Sequence, residues 1–141
     1  MLVYFLGTLS LGDGAVQSTA IAIVEGKAAL PFLDAFLRGI LCNVLVCLAV
    51  WMSFAAHHVA GKILAIVLPI TAFVALGFEH SIANMYFIPV AMLAGAENLD
   101  VAGFIGNLLP VTLGNIVGGG ALVAAVFWVI HLRHPAEKDS A

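Results

Sequence analysis

Charge is what this chain has least of. Lys, Arg, Asp and Glu make up 9% of its 141 residues, where a soluble domain carries about 25%. An intrinsically disordered segment is excluded by that scarcity. With five Lys and Arg residues in all, there is no basic patch to bind nucleic acid. Cysteine is almost missing too. Cys42 and Cys47 fall on one apolar helix at a spacing that suits neither a zinc site nor a disulfide framework, and they read as small buried hydrophobes. No basic segment precedes the apolar residues after Met1, so a cleavable signal peptide is not expected. No nucleophile–base pair or metal-ligand cluster stands out, so an enzyme is not expected, nor is a cofactor or a metal.

Hydrophobic residues make up the balance: 63% of the chain, with a mean hydropathy of +1.14. The expectation is an all-α integral membrane protein, because in lipid a helix satisfies its own backbone. The organising stretch is Leu76-Gly77-Phe78-Glu79-His80-Ser81-Ile82-Ala83-Asn84-Met85. It lies inside an apolar region of about 30 residues, where one straight span needs roughly 20. An acid, an imidazole, a hydroxyl and an amide in the middle of such a region are costly and mark a bundle interior or a pore. The reading is a broken helix over 63–94, with a central loop at 77–81 that holds Glu79 and His80. Non-helical backbone at that depth survives only under protein or beside a water-filled cavity.

In chain order, residues 1–11 read as the end of a helix too short to span. Residues 12–36 read as an extracytoplasmic loop with a short amphipathic helix, and 37–56 as the first complete span. Residues 57–62, which include His57 and His58, form a cytoplasmic polar connection. The broken helix follows, then an acidic extracytoplasmic turn at 95–100, a last span over 101–132 and a charged cytoplasmic tail at 133–141. Lys62, Arg133 and Lys138 flank the connection and the tail, and the positive-inside rule sets the orientation. Within these spans Asn43 is either helix–helix glue or a pore-facing donor. Gly114 and Gly118 allow close approach of a neighbouring helix.

Four separated motifs then carry a resemblance: Arg38-Gly39-Ile40-Leu41-Cys42-Asn43, Leu45-Val46-Cys47-Leu48-Ala49, Gly77 to Met85, and Asn107-Leu108-Leu109-Pro110-Val111-Thr112-Leu113-Gly114-Asn115. In this order they resemble the formate/nitrite transporter family, and the wording of the last motif resembles its formate channel branch. The resemblance implies an aquaporin-like inverted-repeat fold of six spans in two repeats, assembled as a homopentamer in the plasma (inner) membrane. This chain corresponds to the second repeat: the end of one span, then three spans, the middle one broken. A first repeat would supply a second broken helix, a mobile loop, and a lysine and a threonine that partner the pore residues.

Carried over residue by residue, the resemblance makes His80 the central pore histidine. Asn43 would hydrogen-bond near it, and Glu79 would be the adjacent acid, turned into the protein and holding loop backbone amides. Phe73 would belong to a hydrophobic constriction, and Asn84 and Asn115 would line or brace the channel. The implied substrate is formate or a related small monovalent anion. A proton shared with His80 would let it pass as a neutral acid, since an unperturbed histidine titrates near pH 6.5. Two other classes stand beside this one: a non-transporting fragment or subunit that needs a partner, and an aquaporin-like channel for neutral solutes.

Overall fold

The computed structural model describes residues 7–133. After a 3-10 turn at Thr8–Ser10, six helices follow: α1 (Ala15–Ala28), α2 (Phe32–Ala55), α3 (Val59–Ala75), α4 (Ser81–Leu93), α5 (Val101–Asn115) and α6 (Ala124–His131). α5 runs into α6 without a break, through a π-helical stretch at Ile116–Val123. The composite helix Val101–His131 and α2 are each long and apolar enough to cross a membrane, both with a mean hydropathy of 2.0.

Local signals set most of these ends. Pro31 precedes α2 with φ −57° and Asp34 lies in its first turn, where an acid is favourable to the helix dipole. The Asp100 carboxylate accepts from the Gly103 amide at 2.7 Å and caps α5. α3 and α4 end alike. Gly77 (φ 65°) and Gly95 (φ 95°) take the left-handed conformation. The next amides, of Phe78 and Ala96, reach back to the carbonyls of Phe73 and Ala91. This is the Schellman closure, which needs a residue without a Cβ.

Several boundaries differ from those read in the sequence. α2 begins at Phe32, not 37, because Pro31 starts the helix and the polar Asp34 and Arg38 are carried inside it. The helix expected to be short and amphipathic within 12–36 runs the whole of Ala15–Ala28, with polar residues spread around it rather than gathered on one face. The 57–62 connection shrinks to Ala56–His58, since Val59 to Lys62 already belong to α3. The break in the long helix lies at 76–80, and Ser81 is already helical. Of the expected helix end at 1–11, residues 1–6 lie outside the described residues, and Thr8–Ser10 form a 3-10 turn instead. Residues 134–141 of the expected tail also lie outside them.

α1 runs antiparallel to α4. Its Gln17 side chain donates to the Ala94 carbonyl at one end of α4, and its Lys27 meets Glu79 at the other. Between them Val24, Ile88, Ala91, Ala96 and Leu99 form an apolar cluster. α2 packs against α5 through glycine. A Cβ on Gly39 would lie 2.8 Å from the Val111 carbonyl, and one on Gly114 or Gly118 would strike the carbonyl of Phe36 or Ile40. The π stretch has a second effect. Phe127 lies about one residue past three whole α-helical turns from Asn115. The wider i→i+5 turns absorb that residue. Asn115 and Phe127 therefore both face α2, where Phe127 meets Trp51 at 5.8 Å between ring centroids.

The polarity of the whole is inverted. Large apolar side chains such as Phe54, Val59, Ile82 and Leu68 point outward, while Glu79, Ser81, Asn84, Asn107 and Asn115 are buried.

The glycine contact is testable. Gly114→Ala presses a methyl against backbone that cannot step aside, and should lower stability by about 1–3 kcal/mol. Gly120→Ala, whose Cβ would meet nothing nearer than Ile116 Cγ2 at 4.0 Å, should stay within about 0.5 kcal/mol of the parent. Thermal unfolding of the two variants in detergent checks this ordering.

Candidate functional site

Breaking a helix in an apolar setting exposes backbone groups that must find partners. The Asn115 side chain supplies two of them. Its Oδ1 accepts from the Ser81 amide at 2.9 Å. Its Nδ2 donates to the carbonyls of Gly39 at 2.8 Å and Glu79 at 3.0 Å. Asn115 thus grips the chain on both sides of His80 and ties the break to α2. The Glu79 amide donates to the Arg38 carbonyl, and Arg38 Nη1 donates to the Gly77 carbonyl at 3.4 Å.

Asn43 does not bond to the imidazole. Its Nδ2 donates to the Asn115 carbonyl at 2.6 Å, at the point where the helix turns from α to π. It therefore bears on His80 only through Asn115. The expected hydrogen bond near His80 is thus made to the backbone of Asn115, not to the ring.

The Glu79 carboxylate is 1% exposed and fully engaged. Oε1 takes Lys27 Nζ at 2.8 Å, and Oε2 takes Asn84 Nδ2 at 2.6 Å. The same Asn84 amide donates to Asn107 Oδ1 at 2.8 Å, and Asn107 Nδ2 donates to the Lys27 carbonyl at 2.8 Å. The ring closes on α1 and holds it to α4 and α5. Glu79 was expected to hold loop amides; its partners are instead two side chains. Asn84 and Asn115 are bracing residues, both buried.

His80 differs from this bound neighbour. It is half-buried, its Nδ1 has no hydrogen-bond partner, and its ring lies 6.1 Å from that of Phe73, tilted by 34°. The break thus joins an anchored carboxylate, an imidazole with an unbonded nitrogen, and an aromatic wall. Among the described residues, no group of three or more His, Cys, Asp and Glu could hold a metal ion.

Sequence reasoning missed Lys27 and the bracing role of Asn107. Lys27 was placed in a loop. The available signal was physical: a lone cation in an apolar helix needs a carboxylate, and Glu79 is the acid in the middle of the apolar run over 63–94. Asn107 opened one of the recognised motifs without being given a role.

An apolar exterior around a polar, hydrogen-bonded break in a helix is the build of a membrane transport protein. A sequence profile described as formate/nitrite transporter matches residues 1–129, and the chain belongs to that family. It is 46% identical to a probable formate transporter of Methanothermobacter thermautotrophicus, over 90% of this chain and 47% of that one. It is 40% identical to the formate channel FocA of Escherichia coli, over 94% of this chain and 53% of the relative. Among solved structures it superposes on a pentameric formate channel with formate bound, with a TM-score of 0.83 and 39% identity, covering 94% of this chain and 59% of that one. The chain spans about half the length of the curated relatives it matches.

The Lys27–Glu79 pair gives a stability prediction. Lys27→Met strands a buried carboxylate, and with Lys27 partly exposed the loss should fall at the lower end of about 3–5 kcal/mol. Adding Glu79→Gln to that variant should recover more than half of it, because the amide can still bond Asn84 without a charge. A double-mutant cycle on thermal unfolding reads the coupling; additive losses would show that the two side chains stand independently.

Proposed function

We propose that this chain forms one half of the pore of a formate channel or transporter, and that formate or a related small monovalent anion passes His80 while sharing a proton with it. The observation that carries this reading is the contrast between neighbours: Glu79 is held by two side chains, while His80 keeps a nitrogen free.

A bare anion cannot pass an apolar constriction such as one walled by Phe73. A protonated imidazole attracts the carboxylate, and a shared proton removes the charge for the crossing. The bonds from Lys27 and Asn84 hold the Glu79 carboxylate out of the path. Family membership and the likeness to a formate-bound channel support the substrate class.

In this reading α2, the α3–α4 pair and the composite helix Val101–His131 are the spans of a multi-pass protein of the plasma (inner) membrane, surrounded by lipid. Ala56–His58 and the C-terminal tail lie in the cytoplasm, and the turn after Leu93 and α1 lie towards the outside. The chain is the second of two inverted repeats, and the assembly is a homopentamer.

The test is formate flux into liposomes carrying the protein expressed from its complete gene. Flux should rise as the pH falls, since protonated His80 is the form that holds the anion. His80→Phe should abolish that dependence and cut flux by about tenfold or more. A variant with unchanged pH dependence would end the proton-sharing mechanism. Flux of glycerol in place of formate would instead favour a neutral-solute channel.

A further inference from the structure

Beside the break lies an open cavity of about 410 Å³, walled by Ile23, Lys27, Leu30, Arg38, Gly77 and Glu79. Its two cations are not equivalent. Lys27 is spent on Glu79 at 2.8 Å. Arg38 makes no ion pair among the described residues, and its side-chain bond to the Gly77 carbonyl is long, at 3.4 Å. A guanidinium has five N–H donors in a fixed fork, so most of them stay uncommitted. The cavity wall therefore carries a net positive charge, and that charge belongs to Arg38.

We propose that Arg38 is an anion-collecting residue at this mouth of the pore, taking the two oxygens of a small carboxylate on its fork before the anion reaches His80. The proposal rests on the transport reading above. A planar fork matches a planar, two-oxygen anion such as a carboxylate or nitrite, and does not favour a single-atom anion in the same way. The cavity is open to solvent, so the charge acts as a collector and not as a trap. The backbone contact at this position, Glu79 amide to Arg38 carbonyl, does not depend on the side chain, so substitution leaves that link in place.

Two measurements test it on the protein expressed from its complete gene. The first is formate uptake into liposomes at low and high salt. Arg38→Gln should raise KM for formate about tenfold with maximal flux near that of the parent, and the salt dependence of KM should disappear. Arg38→Lys should keep the salt dependence and raise KM by a smaller factor, because charge survives and the fork does not. The second needs no transport. Formate should protect Arg38, but not Arg133, from modification by phenylglyoxal, read by mass spectrometry of the wild-type protein.

If Arg38→Gln keeps the parental KM and salt dependence, or loses maximal flux with KM unmoved, the collecting role is overturned. Equal modification of Arg38 with and without formate overturns it as well. If Arg38→Gln does not insert, Arg38→Lys and the protection experiment decide. Protection in a protein that moves no formate would uphold the Arg38 site and overturn the transport reading.

Discussion

The structure depends on one constraint: a helix interrupted where no water is guaranteed must have every freed backbone group bonded by the protein itself. The 76–80 break meets it from three sides. Gly77 closes the end of α3 by turning left-handed, Arg38 takes the Glu79 amide on its carbonyl and reaches the Gly77 carbonyl with its side chain, and the Asn115 side chain bonds the Glu79 carbonyl and the Ser81 amide. The close approach of α2 and α5 follows. Asn115 can reach both Gly39 and Glu79 only if the helices nearly touch, and Gly39, Gly114 and Gly118 remove the side chains that would hold them apart. The small residues of this interface are thus required by the loop it braces, and not only by the packing of two helices.

The same constraint explains the π stretch. A regular α-helix that turned Asn115 towards the break would carry Phe127 away from α2 by a little over one residue, roughly 120°. The wider turns at Ile116–Val123 bring Phe127 and His131 back to Trp51. Asn43 bonds the Asn115 carbonyl at the point of change. Asn43 therefore acts at second hand: it steadies the turn that aims Asn115, and Asn115 aims His80.

How much of this was legible depended on whether a residue's role was local. Glu79 and His80 stand out because ionisable groups are rare in an apolar run, and Gly77 beside them signals where the helix stops. The start of α2 after Pro31 was hidden because Asp34 made its first turn look like loop. Lys27 was hidden because its partner is 52 residues away in sequence and no periodicity links them. Gly118 read as close packing; that it also lies in a change of helical register is set by Asn115 on one side and Trp51 on the other, which only the fold brings together. The partner of Asn43 was hidden for the same reason, since a bond to a backbone carbonyl 72 residues away has no mark in the sequence.

The division between Glu79 and His80 carries the functional argument furthest. Two adjacent ionisable groups on one loop could each carry a proton, and composition cannot choose between them. Hydrogen bonding can. Glu79 has both oxygens occupied and a cation at 2.8 Å. Protonating it would break the pairing that joins α1 to α4 and leave Lys27 beside a neutral acid. His80 can change charge without breaking a hydrogen bond at Nδ1, because none is made there. The carboxylate is thereby fixed as part of the frame, and the imidazole is left as the ionisable group on this loop with no hydrogen bond at Nδ1 to give up.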